Sequence, residues 1–301
     1  AAGGFINTAQ APVGELLASE AQRAEWLDAF SSRGIRIAAL NVNGNPLHPD
    51  DAVGPAHLRA IEEAIAVAPL LGIDRIVAMP GALGSEPQST RPSWYVIPWE
   101  SGLLDACDFQ WEVAIPVWKR LSQHAETAGV RLCVEPHPNT IVYNPDTVVR
   151  LLETVDSDHL EINLDPSHFF WQGIDTIAAI DRLSGKIWQA AAKDTLIDAA
   201  AVARHGVLDN RFRTHAGAFD IGGGYSITEY PDDAAWRFVA AGRGHDVAWW
   251  AEFTRALQRA GYDESISIEL EDRELSPDEG VKVTADTLQQ AITLAATEGP
   301  A

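Results

Sequence analysis

Three carboxylates close three apolar runs: Glu135 after RLCV (131–134), Asp165 after LEINL (160–164) and Glu269 after SISI (265–268). Gathered at one mouth, three such groups repel one another, which raises their pKa values unless a cation neutralises them. An all-oxygen set suits a hard divalent ion, with Mn²⁺ first and Mg²⁺, Co²⁺ or Zn²⁺ as other candidates. The alternative use of each carboxylate is ordinary: capping a helix or pairing with a surface arginine. Three at equivalent places favour the shared site. Two histidines sit beside them, His137 two residues after Glu135 and His168 three after Asp165. Each is a candidate to move a proton or bind a substrate hydroxyl. Lys193 ends the run KIWQAAA (186–192) and could hold an oxyanion or substrate carboxylate, or simply pair with Asp194. His245 in GRGH (242–245) is a weaker candidate for substrate binding. His48 in NGNPLHPD (43–50) reads as a turn-bonding side chain, and Glu271 as a residue on the face opposite Glu269.

The elements that must carry these groups alternate. Apolar strand runs at 35–40, 75–79, 131–134, 160–164, 186–192 and 265–268 are separated by stretches with apolar residues at three- and four-residue spacing, at 52–71, 109–128, 145–155, 174–184 and 247–261. A further strand is plausible at 4–10. Gly34, Gly72, Gly129 and Gly261 mark helix ends. Strand–helix alternation argues for a parallel sheet, and polar residues gathered at the C-terminal ends of the strands place the site where α/β barrels build theirs. The predicted fold is a (β/α)8 barrel, a single domain over 1–301, whose first strand–helix unit precedes residue 1. The stretch 195–245 is predicted irregular, a lid or interface loop that includes GGGY (222–225) and Phe212, Phe219, Tyr225 and Tyr230. Trp94, Trp99, Trp171 and Trp236 also fall in loop-like segments, where they could stack on a sugar, cover the barrel top or face a partner.

Composition narrows the partners. The 301 residues carry a net charge of −21, which disfavours binding to phosphate backbones and so to nucleic acid. Hydrophobic residues make up 46% and charged residues 22%, the balance of a globular domain. No apolar run approaches the ~20 residues of a membrane span. Two cysteines, Cys107 and Cys133, make no disulfide framework, so a reducing cytoplasmic setting is expected.

Taken in order, VEPHP (134–138), LDPSHFFWQG (164–173), AKDT (192–195), GRGH (242–245) and SIELED (267–272) resemble the xylose isomerase-like barrel superfamily, whose members include sugar isomerases and epimerases and share their barrel with apurinic endonucleases. The resemblance runs from about residue 34 to the end. It implies one divalent metal held by Glu135, Asp165, position 191 and Glu269. Position 191, where the family pattern has histidine, is Ala191, and Gln189 replaces another histidine of that pattern. Gln189, His137, His168 or water could complete the shell. The resemblance further implies an isomerase or epimerase that removes a proton next to a carbonyl through an enediolate. Glu135 and Glu269 are then the acid/base pair, aided by His137. In that scheme the substrate is a sugar or sugar derivative: His168 binds a sugar oxygen, Lys193 and Arg237 receive a phosphate or carboxylate, and His245 and Trp171 are further substrate-binding candidates. A lyase of the C-glycoside deglycosidase type, acting on a 3-keto glycoside with a small second subunit, is the first alternative, and a non-catalytic sugar-binding or scaffold barrel the second. Self-association, or association with such a subunit, is expected.

Overall fold

A computed structural model of the chain describes residues 2–214, 220–222 and 225–298. The chain divides into two compact units, Ala1–Asn163 and Leu164–Ala301.

The first unit alternates strand and helix: β1 (Ala2–Asn7), α1 (Val13–Ala18), α2 (Glu20–Ser31), β2 (Ile35–Val42), α3 (Val53–Val67), β3 (Arg75–Ala78), α4 (Ser101–Ala128), β4 (Arg131–Val134), α5 (Pro145–Val155) and β5 (Leu160–Leu164). The strands pair in parallel and in sequence order, with Val77 opposite Cys133 and Cys133 opposite Glu161. Central parallel strands are covered on both faces, and Ile76, Leu132 and Ile162 are shut off from solvent. Helix α5 shows how local sequence sets an element. The Asn144 side chain accepts the Thr147 N–H and the Thr147 hydroxyl accepts the Asn144 N–H, a reciprocal cap. Val148, Leu151 and Val155 then recur on one buried face, each contributing roughly 1.5–3 kcal/mol by burial.

Two loops of this unit are pinned by side chains. Asn45 accepts from the Leu47 and Ala82 N–H groups and donates to the Ala82 carbonyl, tying the segment after β2 to the segment after β3. From α4, Gln110 reaches the carbonyls of Leu83, Gly84 and Ser93, and Trp118 reaches that of Pro80. His48 is buried and its Nδ1 accepts the Asp50 N–H at 3.0 Å, a local turn bond. Burial lowers its pKa, with Asp50 opposing and His57 assisting that shift.

The second unit holds α6 (Ser167–Phe170), α7 (Thr176–Arg182), β6 (Ile187–Ala192), β7 (Asp194–Ile197), α8 (Ala199–His205), β8 (Asp220–Gly222), β9 (Tyr225–Ser226), β10 (Trp236–Val239), α9 (Val247–Arg259), β11 (Ile266–Ile268) and α10 (Pro277–Glu298). Strands β6 and β11 are parallel, with Ala191 opposite Ser267; β7 and β10 are antiparallel, with Phe238 opposite Thr195. Trp250, Phe253 and Leu257 of α9 form its buried face.

Several expectations are corrected. The stretch 195–245 is not irregular: β7, α8 and β10 lie in it. The pairing partners in β7 and β10 are roughly forty residues apart, so no local periodicity reveals them. Of its aromatics, Phe212 packs near Tyr230 and Arg273 lies over Tyr230, whereas Phe219, the Tyr225 side chain and Gly223–Gly224 fall outside the described residues. The early strand spans Ala2–Asn7 rather than 4–10. Helix α4 begins at residue 101 rather than 109, and α1, α2 and α10 were not anticipated. Helix α2 shows no apolar stripe and no fully buried residue, so the expected signal is absent from it.

Two outcomes follow. A Cβ at Gly54 would lie 2.3 Å from the His48 carbonyl oxygen, whereas one at Gly14 would meet nothing within 4 Å. Gly54→Ala is expected to destabilise by about 1–3 kcal/mol in urea unfolding, and Gly14→Ala to be neutral or stabilising by roughly 0.5 kcal/mol. Burial pushes the Cys133 thiol up to about 12, and burial followed by the Asp108 charge raises that of Cys107. Since only the thiolate reacts, at pH 8 the folded chain should leave Cys133 unmodified by a disulfide reagent. Cys107, which is partly exposed, should react slowly, and both thiols should react after denaturation.

Candidate active site

The second unit gathers charge around one ammonium. Lys193 follows β6 and is 2% exposed. Its Nζ lies 3.0 Å from Asp165 Oδ2, 3.2 Å from Glu271 Oε1, 3.6 Å from Glu269 Oε2 and 3.5 Å from His168 Nε2. The Phe238 ring centroid is 4.7 Å from the same nitrogen, a cation–π contact. His168 Nε2 in turn stands 3.1 Å from Asp165 Oδ2. Burial pushes the Asp165 carboxyl up, but the Lys193 charge, the His168 charge and hydrogen bonds from both outweigh it and hold the group well below the usual carboxylate range.

Local sequence explains the arrangement. Asp165 Oδ1 accepts the Ser167 N–H, which fixes the carboxylate at the start of α6 and leaves Oδ2 facing the two nitrogens. Thr195 Oγ1 donates to the Ser167 carbonyl, joining β7 to the same turn. Glu271 was expected opposite Glu269, yet both face Lys193. Residues two apart in extended chain share a face, and that spacing was the signal for Glu271. Lys193 and Asp194 turn to different partners, because neighbours in extended chain point apart.

Asp194 anchors GRGH. Its Oδ2 accepts the N–H groups of Gly242, Gly244 and His245 at 3.1, 3.0 and 2.9 Å; its Oδ1 accepts the Thr195 N–H at 2.8 Å and faces His245 Nδ1 at 2.7 Å. A Cβ at Gly244 would fall 2.3 Å from the Thr195 carbonyl oxygen, so only glycine permits the approach. His245, stacked on Phe170 with centroids 3.9 Å apart, is thereby held in this latch. Arg237 binds Glu274 at 2.8 Å, and Glu274 also receives Arg243, which pairs with buried Asp272.

Trp171 is 5% exposed and stacks on Trp236 with rings 4.7 Å apart and 8° from parallel. Trp236 continues to Phe238, and the Phe238 ring meets His168 edge-on at 5.3 Å. Thus an aromatic wall runs away from the charged cluster. Sequence reasoning gave no sign of Phe238. Trp99 is 92% exposed, and Trp94 packs edge-on to Tyr143.

On β6, the alanines 190–192 are wholly buried. Gln189 donates through Nε2 to the Ser265 carbonyl at 3.1 Å and lies 3.4 Å from the Ser267 hydroxyl. In the first unit, Glu135 is 6% exposed and accepts from Asn163 Nδ2 at 3.0 Å. Asn163 lies two residues before Asp165 and was not singled out from sequence. His137 Nδ1 is 2.6 Å from the Pro138 carbonyl, which can only accept, so the ring proton sits on Nδ1.

Residues 7–291 match the model of the xylose isomerase-like TIM barrel. The chain belongs to this family. Its (β/α) strand–helix order is the family's barrel architecture. The Bacillus subtilis (strain 168) protein YfiH is 34% identical over 295 residues, 97% of this chain and 89% of that protein. Among solved structures, the IolI protein with a bound zinc atom matches with a TM-score of 0.62 at 19% identity, over 97% of this chain and 88% of that one. A D-tagatose 3-epimerase-like protein matches with a TM-score of 0.61 at 17% identity, over 93% and 85%. At these identities the solved structures establish the fold.

The family pattern implies a metal, and the donors of the second unit fit one. Asp165 and Glu269 offer oxygens within 4.8 Å of each other, and the Lys193 ammonium, 3.0 and 3.6 Å from them, holds the place of a cation there. Hard oxygen donors of this kind suit Mn²⁺ or Mg²⁺. Ala191 supplies no ligand atom.

The Asp194 latch makes its own forecast. Asp194→Asn substitutes a donor for one of two oxygens that together face five nitrogens, and should lower stability by roughly 2–4 kcal/mol. His245→Ala removes one donor and should cost about 1 kcal/mol. Urea unfolding measures both; an Asp194→Asn variant as stable as the parent would show the latch to be energetically idle.

Proposed function

We propose that the chain is a divalent-metal-dependent isomerase or epimerase of a sugar or sugar derivative, acting by proton abstraction next to a carbonyl. The observation that supports this reading most directly is the pairing of the Asp165 and Glu269 carboxylates beside His168 and Lys193 in a chain of the xylose isomerase-like family. The structural relatives include one described with a bound zinc atom and one described as epimerase-like, which agrees with it.

In this reading Asp165 and Glu269 of the second unit are metal carboxylates, and Mn²⁺ is the ion favoured by oxygen donors; the family resemblance gives Glu135 the same part. Such an ion supplies the positive charge that polarises carbonyl and hydroxyl oxygens of a keto sugar. Glu269 takes the proton from the carbon next to the carbonyl and, as the carboxylic acid so formed, gives it back to the enediolate; the resemblance assigns Glu135 as its acid/base partner. Asn163 orients Glu135 by donating to Oε2. His137, with its proton on Nδ1, presents Nε2 as an acceptor and assists proton transfer. His168 and Lys193 bind substrate oxygens, and Trp171, buried against Trp236, backs the aromatic wall. Arg237 and His245 are engaged by Glu274 and Asp194, so their part is to hold the walls that surround the substrate. Gln189 is tied through Nε2 to Ser265 and Ser267, so its amide nitrogen serves the β6–β11 seam.

The wall of Trp171, Trp236 and Phe238 favours a second reading, a C-glycoside deglycosidase-type lyase that cleaves the carbon–carbon bond between a 3-keto sugar and an aromatic aglycone, in company with a small second subunit. Among the described residues no helix is long and apolar enough to cross a membrane.

Elemental mass spectrometry of the protein after Mn²⁺ loading should find roughly one ion per chain, lost in Asp165→Asn and Glu269→Gln. Incubation with keto sugars in D₂O should place deuterium at the carbon next to the carbonyl, with a drop of at least about 10²-fold in Glu269→Gln. Absence of bound metal at millimolar Mn²⁺ would sink the reading. Cleavage of a 3-keto aryl C-glycoside without deuterium exchange into keto sugars would transfer it to the lyase.

A further inference from the structure

Lys193 stands among the same side chains that the proposed function gives to a metal. Its Nζ is 3.0 Å from Asp165 Oδ2 and 3.6 Å from Glu269 Oε2. A divalent ion bonded to those oxygens at the usual ~2.0–2.6 Å would stand within a few ångströms of the ammonium, two cations side by side in a poorly hydrated place. The lysine must therefore yield, and the structure offers it somewhere to go. Glu271 Oε1 already lies 3.2 Å from Nζ, and the Glu271 side chain is 47% exposed, against 0% for Asp165 and 24% for Glu269. The Phe238 ring, 4.7 Å from Nζ, keeps a favourable surface beside the ammonium. Ala191, two residues earlier on β6, adds no side chain that would contest the space, and its neighbour across the sheet is the small Ser267.

We propose that Lys193 is a positioning residue, whose ammonium holds Asp165 and Glu269 together and transfers to Glu271 when a divalent cation takes those two carboxylates. This rests on the metal reading above. It makes cation affinity a balance between two partners of one lysine. Removing the lysine removes a competitor for the carboxylates. Removing Glu271 removes the place to which that competitor retreats. The two substitutions thus act in opposite directions and through each other, which a purely structural role for either residue does not produce.

The test is Mn²⁺ titration of the full chain, with free ion followed by its electron paramagnetic resonance signal, on the parent, Lys193→Met, Glu271→Gln and the double variant. Lys193→Met should bind Mn²⁺ about tenfold more tightly and Glu271→Gln about tenfold more weakly, a coupling of ordinary size. In the double variant the Glu271 effect should shrink to within about twofold. Circular dichroism checks folding, and Lys193→Gln replaces Lys193→Met if the latter fails to fold. Weaker binding in the folded lysine variant, or an equal Glu271 effect with and without Lys193, overturns the proposal while leaving the metal reading intact. If neither the parent nor any variant binds Mn²⁺, the metal reading fails and the proposal fails with it.

Discussion

A lysine ammonium taken out of water must find negative charge, and in this protein the Lys193 environment is built to supply it. Asp165, Glu269 and Glu271 converge on one nitrogen, and each carboxylate is in turn relieved of its neighbours' repulsion by the shared cation. The positions of β6, β11 and the turn into α6 are bound to this requirement, because Asp165 and Lys193 are both almost wholly buried and neither could remain charged there without the other. His168 and Phe238 close the set on its remaining sides.

Next to it in sequence, Asp194 does a different task with the same kind of charge. It collects backbone N–H groups from GRGH rather than side-chain cations, and fixes the segment that follows β10. The dipeptide Lys193-Asp194 therefore separates two jobs by strand geometry: one side chain turns to the carboxylate cluster, the next to the loop. Ala190, Ala191 and Ala192 are packed without exposure, and the polar work of the strand is carried out at its end and by Gln189 at its start.

Family membership and site chemistry meet at Ala191. The resemblance places a metal imidazole there, and this chain has a methyl group. The Asp165 and Glu269 oxygens still form a pair suited to a hard cation, so the difference alters the make-up of the ligand set without removing its acidic part. The aromatic sequence from Phe238 through Trp236 to Trp171 adds apolar side chains beside that charged pair.

Sequence alone determined the strand–helix alternation, six of the strands and the strand-end carboxylates, because buried parallel strands are short apolar runs and the first polar residue after each is forced to the mouth. It also marked His48 as a turn-bonding residue, since a histidine in a proline-rich turn has a local partner at hand. It did not disclose α2, whose surface lacks an apolar stripe, nor the β7–β10 pairing, whose partners are remote in the chain. The tertiary structure alone decided which partner each charge takes. Lys193 could pair with Asp194 or with distant carboxylates, His245 could face substrate or Asp194, and Arg237 could face solvent or Glu274. Composition and spacing permit every one of these pairings, and only the packing that buries one partner and exposes another selects among them.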